Sequence, residues 1–333
     1  MIEEGMKMRV KYIDYTKGLA ILLMLFGHTI TQVNKIHKWI YSFHMPIFFI
    51  ICGSLMYINI KRNSDIKNKI WRRIYAAGIP YYVFGIILVF FYTTLHIMSG
   101  RQGIFWNRLF KLVTLQGVDS LWFLPIYVSS DIIFFILMNK KMKYIKFMTG
   151  INFLLAIFLE KYMITMWYFQ ILYKILLALC FIAIGFFISK YEIIKRLNIF
   201  SIVILLIIGW ILAQINGSVE MAIGHIGNPI IYFFTAIVTS VSIMGILKKM
   251  ESKENILILK ILELYGKNSI VILCTNNLLI EIIRLLDFKI MGNALISMGM
   301  SGSILLFIVL MLIEYPIIQL ANGILAPIFG NIK

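Results

Sequence analysis

Long apolar runs, separated by short basic segments, follow one another along the whole chain. Each run covers about 17 to 24 residues, the length that a helix needs to cross roughly 30 Å of hydrocarbon. Of the 333 residues, 61% are hydrophobic and 14% are charged, whereas soluble proteins average roughly 45–50% and 25%. A water-soluble globular domain is therefore excluded. The sequence predicts an all-α fold, a polytopic bundle of transmembrane helices in a lipid bilayer.

The apolar runs and their breaks predict ten spans. They lie near residues 17–34, 38–58, 75–98, 120–138, 145–160, 169–189, 198–214, 227–247, 269–286 and 301–321. Of the 32 lysines and arginines, 23 fall on the side of the N-terminus and 9 on the other side. Because basic residues accumulate in cytoplasmic segments, both termini are predicted to be cytoplasmic. With no repeat or flexible linker in the sequence, we expect a single domain over residues 1–333, with the first run retained as a span.

The net charge of +17 would suggest a nucleic-acid partner in a soluble protein. Here the topology accounts for most of the basic residues, so no nucleic acid is expected. The cysteines Cys52, Cys180 and Cys274 lie far apart within apolar runs. They offer neither a disulfide framework nor a paired-cysteine metal motif.

The first span carries the most informative polar residues, Asp14, Lys17 and His28. Lys17 and His28 are eleven positions apart, so on a helix they point within about 20° of one direction and lie roughly 16 Å apart along the axis. Asp14 shares that face. Gly18 and Gly27 allow another helix or a ligand to approach the backbone. The alternative is a lysine that reaches the membrane surface and a histidine satisfied by a neighbouring helix.

The second span begins with His44 and Pro46. A proline frees a backbone carbonyl for another partner, and the short preceding loop places His44 near His28 on an adjacent antiparallel helix. Zinc usually has three or four protein ligands, and two histidines without a nearby acidic residue or cysteine do not reach that number. No metal site is therefore expected, and His28 is better suited to proton transfer at neutral pH.

Other polar residues within the spans are candidates for a site or for structural pairing. Asp131 lies in the fourth predicted span and Glu314 in the tenth. Glu281 should pair with Arg284 one turn away. Trp122, at the start of the fourth span, has the position of an interfacial aromatic residue.

A basic segment from Lys61 to Arg73 follows the second span on the predicted cytoplasmic side. It would also suit an anionic cofactor that carries phosphates. The sequence contains no phosphate-binding loop, dinucleotide fingerprint, zinc-hydrolase motif or serine-hydrolase motif. ATP-driven transport and zinc hydrolysis therefore lack their usual sequence support.

These segments resemble the acyltransferase 3 family of bacterial integral-membrane O-acyltransferases, especially sugar O-acetyltransferases of the fucose 4-O-acetyltransferase type. Lys17, ten intervening residues and His28 resemble the family's first-helix motif, and residues 43–53, FHMPIFFIICG, resemble its second-helix signature. The family's first motif usually begins with arginine; Lys17 keeps the charge without the bidentate fork. Further similarities lie at Arg73 and at residues 79–81, 121–124, 266–269, 316–317 and 327–330.

The resemblance implies transfer of an acyl group, most often acetyl, from cytoplasmic acetyl-CoA to a sugar hydroxyl. The acceptor would be a cell-surface polysaccharide or its lipid-linked precursor, and the location the bacterial plasma membrane. Acetyl-CoA would be a donor substrate, with no cofactor bound permanently. Four basic residues at the cytoplasmic rim would hold the CoA phosphates: Lys17, Lys69, Arg72 and Arg73.

In the same interpretation, His28 would deprotonate the acceptor hydroxyl or relay the acetyl group. Asp14 and Lys17 would complete the catalytic face of the first helix, along which the pantetheine arm would enter the bundle. His44 and Trp122 would shape the acceptor side.

The buried polar face also suits a transporter or flippase for a glycolipid or a small polar solute, or a non-catalytic module. Transporters often have inverted repeats with helices broken at corresponding positions. Pro46 has no such counterpart in the second half of the chain. The resemblance favours the acyltransferase, and specific binding of acetyl-CoA would separate the two classes.

Overall fold

Helices follow the predicted spans in the computed structural model, which describes residues 10–59, 66–98, 103–138, 140, 142–160, 166–253 and 255–329. The α-helices of these ranges are α1 (Lys11–Thr29), α2 (Lys35–Phe43), α3 (Pro46–Ile58), α4 (Ile66–Met98), α5 (Ile104–Val113), α6 (Phe123–Leu137), α7 (Met142–Glu160), α8 (Trp167–Lys190), α9 (Ile193–Arg196), α10 (Ile199–Asn216), α11 (Pro229–Met250), α12 (Leu257–Lys267), α13 (Ser269–Met291), α14 (Ala294–Ser297) and α15 (Met300–Asn322). Short 3₁₀ helices occupy Asp119–Trp122, Met221–Ile223 and Glu251–Lys253. The all-α prediction is confirmed.

Among the described residues, nine helical stretches are long and apolar enough to cross a membrane. They correspond to the second to tenth predicted spans, and α2 with α3 makes one of them. The predicted first span, α1, does not qualify by composition because its 19 residues include Asp14, Lys17 and His28. The polytopic bundle is confirmed, while the cytoplasmic placement of both termini stays a prediction.

The polar helix α1 is enclosed by other helices. It packs against α2, α3, α11, α12, α13 and α15, and 13 of its 19 residues are buried. Inside a bundle, ionisable side chains meet protein partners instead of lipid. The neighbouring helices thus stabilise a helix whose composition alone would not hold it in hydrocarbon.

Two glycines bring α1 and α12 into backbone contact. A Cβ on Gly18 would lie 1.9 Å from the carbonyl oxygen of Leu262, and a Cβ on Gly266 would lie 1.9 Å from that of Asp14. Small residues at a helix crossing permit this approach. The predicted role of Gly18 is thereby confirmed, and its partner helix is the amphipathic α12.

A second reciprocal pair of glycines joins α3 to α8. A Cβ on Gly53 would lie 1.8 Å from the carbonyl oxygen of Ile182, and a Cβ on Gly185 would lie 1.8 Å from that of Ile50. The Ser54 hydroxyl also donates to the Gly185 carbonyl at 3.0 Å. This tight crossing fixes the position of α3 within the bundle. It therefore also positions the segment that precedes α3.

The second predicted span is broken into α2 and α3. Helix α2 ends at Phe43, and Pro46 occupies the first turn of α3. A proline at this position costs no hydrogen bond, because the N–H groups of a first helical turn have no partner within the helix. The break leaves His44 and Met45 at the junction, where His44 faces the end of α1.

The two short helices α5 and α12 each bury one side and expose the other. In α5, Trp106 is 73% exposed whereas Leu112 is 2% exposed. In α12, Leu257 is 71% exposed and Leu259 is fully buried.

Candidate active site

His28 lies at the C-terminal end of α1, one residue before the helix ends. Its Nδ1 atom is 3.3 Å from the hydroxyl oxygen of Tyr41 on α2, and the two rings meet edge to face. Gly27 permits this approach, since a Cβ there would lie 2.9 Å from the Tyr41 ring. No described residue hydrogen bonds with Nε2 of His28. That nitrogen is therefore available to a ligand.

Two cavities meet at His28, and Tyr41 lines both of them. The small cavity has a volume of about 40 Å³ and the large cavity about 490 Å³. The other residues of the small cavity are Met24, His44, Met45, Ser120, Trp122, Glu220, Met221, Ala222 and Leu273. Those of the large cavity are Gly27, Ile30, Thr31, His37, Arg284 and Ile296.

The small cavity brings together His28, His44 and Trp122, which are far apart in the sequence. Glu220 reaches the same cavity from the loop between α10 and α11. A volume of about 40 Å³ holds little more than a water molecule. An acyl group or a sugar ring that entered here would have to displace the side chains of the wall.

His44 is 5% exposed, and its Nδ1 lies 2.9 Å from the carbonyl oxygen of Ile40. Because only a protonated nitrogen can donate to a carbonyl, Nδ1 carries a proton in this arrangement. The ring also packs against Tyr41, with centroids 4.8 Å apart. Among the described residues, no group of three His, Cys, Asp or Glu side chains is arranged to hold a metal ion.

Trp122 is held by a buried lysine. Lys174 on α8 is 4% exposed, and its Nζ lies 5.1 Å from the centre of the Trp122 ring. The same Nζ donates to the carbonyl oxygen of Ala222 at 2.9 Å. This cation–π contact and hydrogen bond fix two walls of the small cavity relative to α8.

Asp14 and Lys17 lie at the other end of α1 and pair with each other, with Nζ and Oδ1 3.9 Å apart. They share a face, as the spacing predicted. Between Lys17 and His28 this face is filled by apolar side chains that are at most 1% exposed: Ile21, Met24 and Leu25. The polar residues thus occupy the two ends of a packed apolar surface, and an acyl-CoA arm that followed this face would have to displace it.

Arg73, whose side chain is 27% exposed, forms an ion pair with the buried Asp131 of α6. The Asp131 carboxylate also accepts a hydrogen bond from the Cys52 thiol at 3.2 Å, and the Arg73 guanidinium lies 4.2 Å from the centre of the Phe135 ring. The Nη1 atom of Arg73 is buried without a described hydrogen-bond partner. Residues of α3, α4 and α6 therefore meet at one polar cluster, which we call the Arg73 cluster.

The other predicted phosphate-binding cations of α4 point in different directions. Lys69 lies 5.7 Å from the centre of the Phe135 ring, whereas Arg72 is exposed. The basic side chains between Lys61 and Lys67 lie outside the described residues. Within the described chain, α4 makes no extensive contact with α1, and the shared role of these cations with Lys17 stays a prediction.

Two further sequence predictions concern acidic residues near the site. Glu281 pairs with Arg284, with Oε1 and Nη1 3.6 Å apart, which confirms their predicted pairing. Arg284 also donates from Nη2 to the carbonyl oxygen of His28 at 3.2 Å. Glu314 is fully buried and accepts a hydrogen bond from the Thr275 hydroxyl at 2.8 Å, so it joins α15 to α13.

Sequence reasoning missed Tyr41, Glu220 and Lys174. Tyr41 precedes His44 by one helical turn, and this spacing was a usable signal. In the sequence, Lys174 is one of the basic residues that indicate the membrane topology. Glu220 lies in a loop, and no sequence pattern indicates that this loop returns into the bundle. Their placement depends on helix packing.

A family model described as an acyltransferase domain matches residues 10–318. The chain belongs to this acyltransferase family. The matched range includes every residue that lines either cavity. The protein is accordingly a multi-pass membrane acyltransferase, which favours the enzyme over the transporter hypothesis. Comparison with curated proteins and with solved structures found no match.

Proposed function

We propose that this acyltransferase moves an acetyl or other short acyl group from cytoplasmic acyl-CoA to a sugar hydroxyl. The acceptor is a cell-surface polysaccharide or its lipid-linked precursor, and the enzyme acts in the bacterial plasma membrane. The observation that carries the proposal is the position of His28, whose imidazole lies between two cavities with Nδ1 at the Tyr41 hydroxyl. Nε2 is left without a described partner.

The chemistry assigned to His28 is general base catalysis. With a proton on Nδ1 donated to the Tyr41 oxygen, Nε2 holds a lone pair that accepts the proton of the acceptor hydroxyl. The hydroxyl oxygen attacks the thioester carbonyl, a new ester bond forms and the carbon–sulfur bond breaks. The departing CoA thiolate takes up the proton from the imidazolium. No redox partner is required.

The remaining residues are assigned by their position. His44 and Trp122, on the wall of the small cavity, would orient the acceptor and the acyl group. Lys17 would attract the CoA phosphates at the opposite end of α1, with Asp14 holding its ammonium group.

On α4, the exposed Arg72 is suited to bind phosphate, together with Lys69. Arg73 would contribute through Nη1, the nitrogen that has no described partner. Such charge-assisted contacts to phosphate are the strong kind of hydrogen bond. A donor held here must still reach His28 past the packed face of α1.

The proposal is tested by release of CoA thiol from acetyl-CoA by purified, detergent-solubilised protein given a lipid-linked glycan extract. General base catalysis typically contributes about 10²- to 10⁴-fold, so His28→Ala should lose at least about 100-fold in turnover. His96→Ala is the matched control, since His96 lines neither cavity, and it should keep wild-type turnover.

Two outcomes would contradict the proposal. Wild-type turnover by folded His28→Ala protein would remove the imidazole from the mechanism. Folded wild-type protein that neither releases thiol nor binds acetyl-CoA would contradict the choice of donor and would return attention to the transporter hypothesis.

A further inference from the structure

The large cavity beside His28 is lined by one cationic side chain and by two histidines. Its residues include Arg284 from α13 and His37 from α2, and none of its eight residues is acidic. It is a wide-open depression, and its volume of about 490 Å³ lies within the roughly 300–1,000 Å³ typical of small-molecule sites. A sugar-sized ligand can therefore lie next to the imidazole of His28.

Arg284 has N–H donors that its described contacts do not use. One nitrogen, Nη2, donates to the His28 carbonyl at 3.2 Å, and Nη1 is 3.6 Å from Glu281, with side-chain exposures of 33% and 36%. An exposed pair of this kind contributes little to stability, so an incoming anion can compete with Glu281. A guanidinium carries five N–H donors, and the two described contacts leave the others for a ligand.

His37 supplies a second, independent indication of a ligand. Its Nδ1 is buried without a described hydrogen-bond partner, and its ring is stacked on Tyr41 with centroids 3.9 Å apart. A buried polar atom without a partner is unfavourable. Both His37 and Arg284 line the large cavity, so one ligand group can satisfy both.

We propose that the acceptor carries an anionic group, a carboxylate or a phosphate, which Arg284 binds while a nearby hydroxyl lies at Nε2 of His28. This inference rests on the proposed function and names the class of its acceptor. The planar fork of arginine matches both anions. Because Arg284 also holds the backbone of His28, only a hydroxyl within about one sugar ring of the anion would reach the base.

The anion has two chemical sources, an acidic sugar of the glycan or the phosphate of a sugar phosphate. Equilibrium dialysis of detergent-solubilised protein with glucuronate, glucose 1-phosphate and glucose distinguishes them. We expect one of the two anionic probes to bind at least about 10-fold more tightly than glucose, as is typical of a hydrogen bond to a charged group. The preferred anion identifies the source.

Arg284→Gln should abolish this preference, and Arg284→Lys, which keeps the charge without the fork, should retain part of it. Lys289→Gln is the matched control, since Lys289 is an exposed cation on the same helix, and it should keep the full preference. Equal binding of all three probes by wild type, or an unchanged preference in folded Arg284→Gln protein, would overturn the inference.

The same set of proteins separates this inference from the proposed function. In His28→Ala, the anion preference should persist while thiol release is lost, because the contact from Arg284 is to the backbone of His28. If the wild-type protein showed no anion preference but its thiol release still required His28, only the anionic acceptor would be overturned. Thiol release without His28, with the preference intact, would overturn the proposed mechanism alone.

Discussion

The Arg73 cluster and the surroundings of His28 differ in how fully their polar groups are paired. In the Arg73 cluster, the Asp131 carboxylate is 8% exposed and accepts from both Arg73 and Cys52, while Nη1 of Arg73 has no described partner. Around His28, Nε2 has no described partner, and Arg284 contacts one partly exposed acidic residue at 3.6 Å and one backbone carbonyl at 3.2 Å. Asp131 lies in α6, nine residues after Trp122, which ends the preceding 3₁₀ helix.

This difference separates a region whose buried carboxylate is paired from a region whose imidazole and guanidinium keep hydrogen-bonding groups for a substrate. Breaking a buried ion pair leaves an uncompensated charge and costs about 3–5 kcal/mol, whereas an exposed pair contributes about 0–1 kcal/mol. The Arg73 cluster therefore ties three helices together. The His28 end of α1 keeps cavities and free donors, which a substrate can use.

The largest expected effect comes from breaking the Arg73 cluster. Asp131→Ala leaves the partly exposed Arg73 guanidinium without its carboxylate, and we expect a loss of about 2–3 kcal/mol in the free energy of unfolding, between the values of exposed and buried pairs. The measurement is the unfolding midpoint of detergent-solubilised protein. Replacing both partners, Arg73→Met with Asp131→Ala, should recover much of the loss because no buried charge remains. If the single and double variants were equally unstable, the ion pair would not be the stabilising element.

A smaller effect is expected at the glycine crossing of α3 and α8. Gly185→Ala would place a Cβ 1.8 Å from the carbonyl oxygen of Ile50, and such overpacking costs about 1–3 kcal/mol. Thermal unfolding in detergent measures the change. The matched control is Gly78→Ala in α4, where nothing lies within 4 Å of the added Cβ, and it should not destabilise. An unfolding midpoint equal to that of the control would show that this crossing is looser than described.

The smallest effect should come from the contact that orients His28. Tyr41→Phe removes the hydroxyl at Nδ1, which is equivalent to a hydrogen bond of about 0.5–1.5 kcal/mol. We expect thiol release to fall about 2- to 10-fold, with little change in unfolding. Tyr82→Phe, at an exposed tyrosine of α4, serves as the control. A rate equal to that of the control would mean that Tyr41 does not position the imidazole.

The span pattern was predictable, because burying about twenty apolar residues in hydrocarbon is a property of each segment by itself. The site was predicted only in part. The spacing of Lys17 and His28 follows from helical geometry, and the pairing of Glu281 with Arg284 lies within one turn. The filling of the α1 face by Ile21, Met24 and Leu25 depends on which helices surround it, and helical spacing alone does not predict it.

The sequence by itself thus determined an all-α membrane bundle and a helix with ionisable residues at both ends, because both follow from local composition and periodicity. Only the tertiary structure decided the partners of those residues. Tyr41 contacts His28 across a helix break, Arg73 meets Asp131 from another helix, and Arg284 reaches His28 across 256 residues of sequence. Such contacts depend on how the helices pack, and the two cavities at His28 are the space that this packing leaves open.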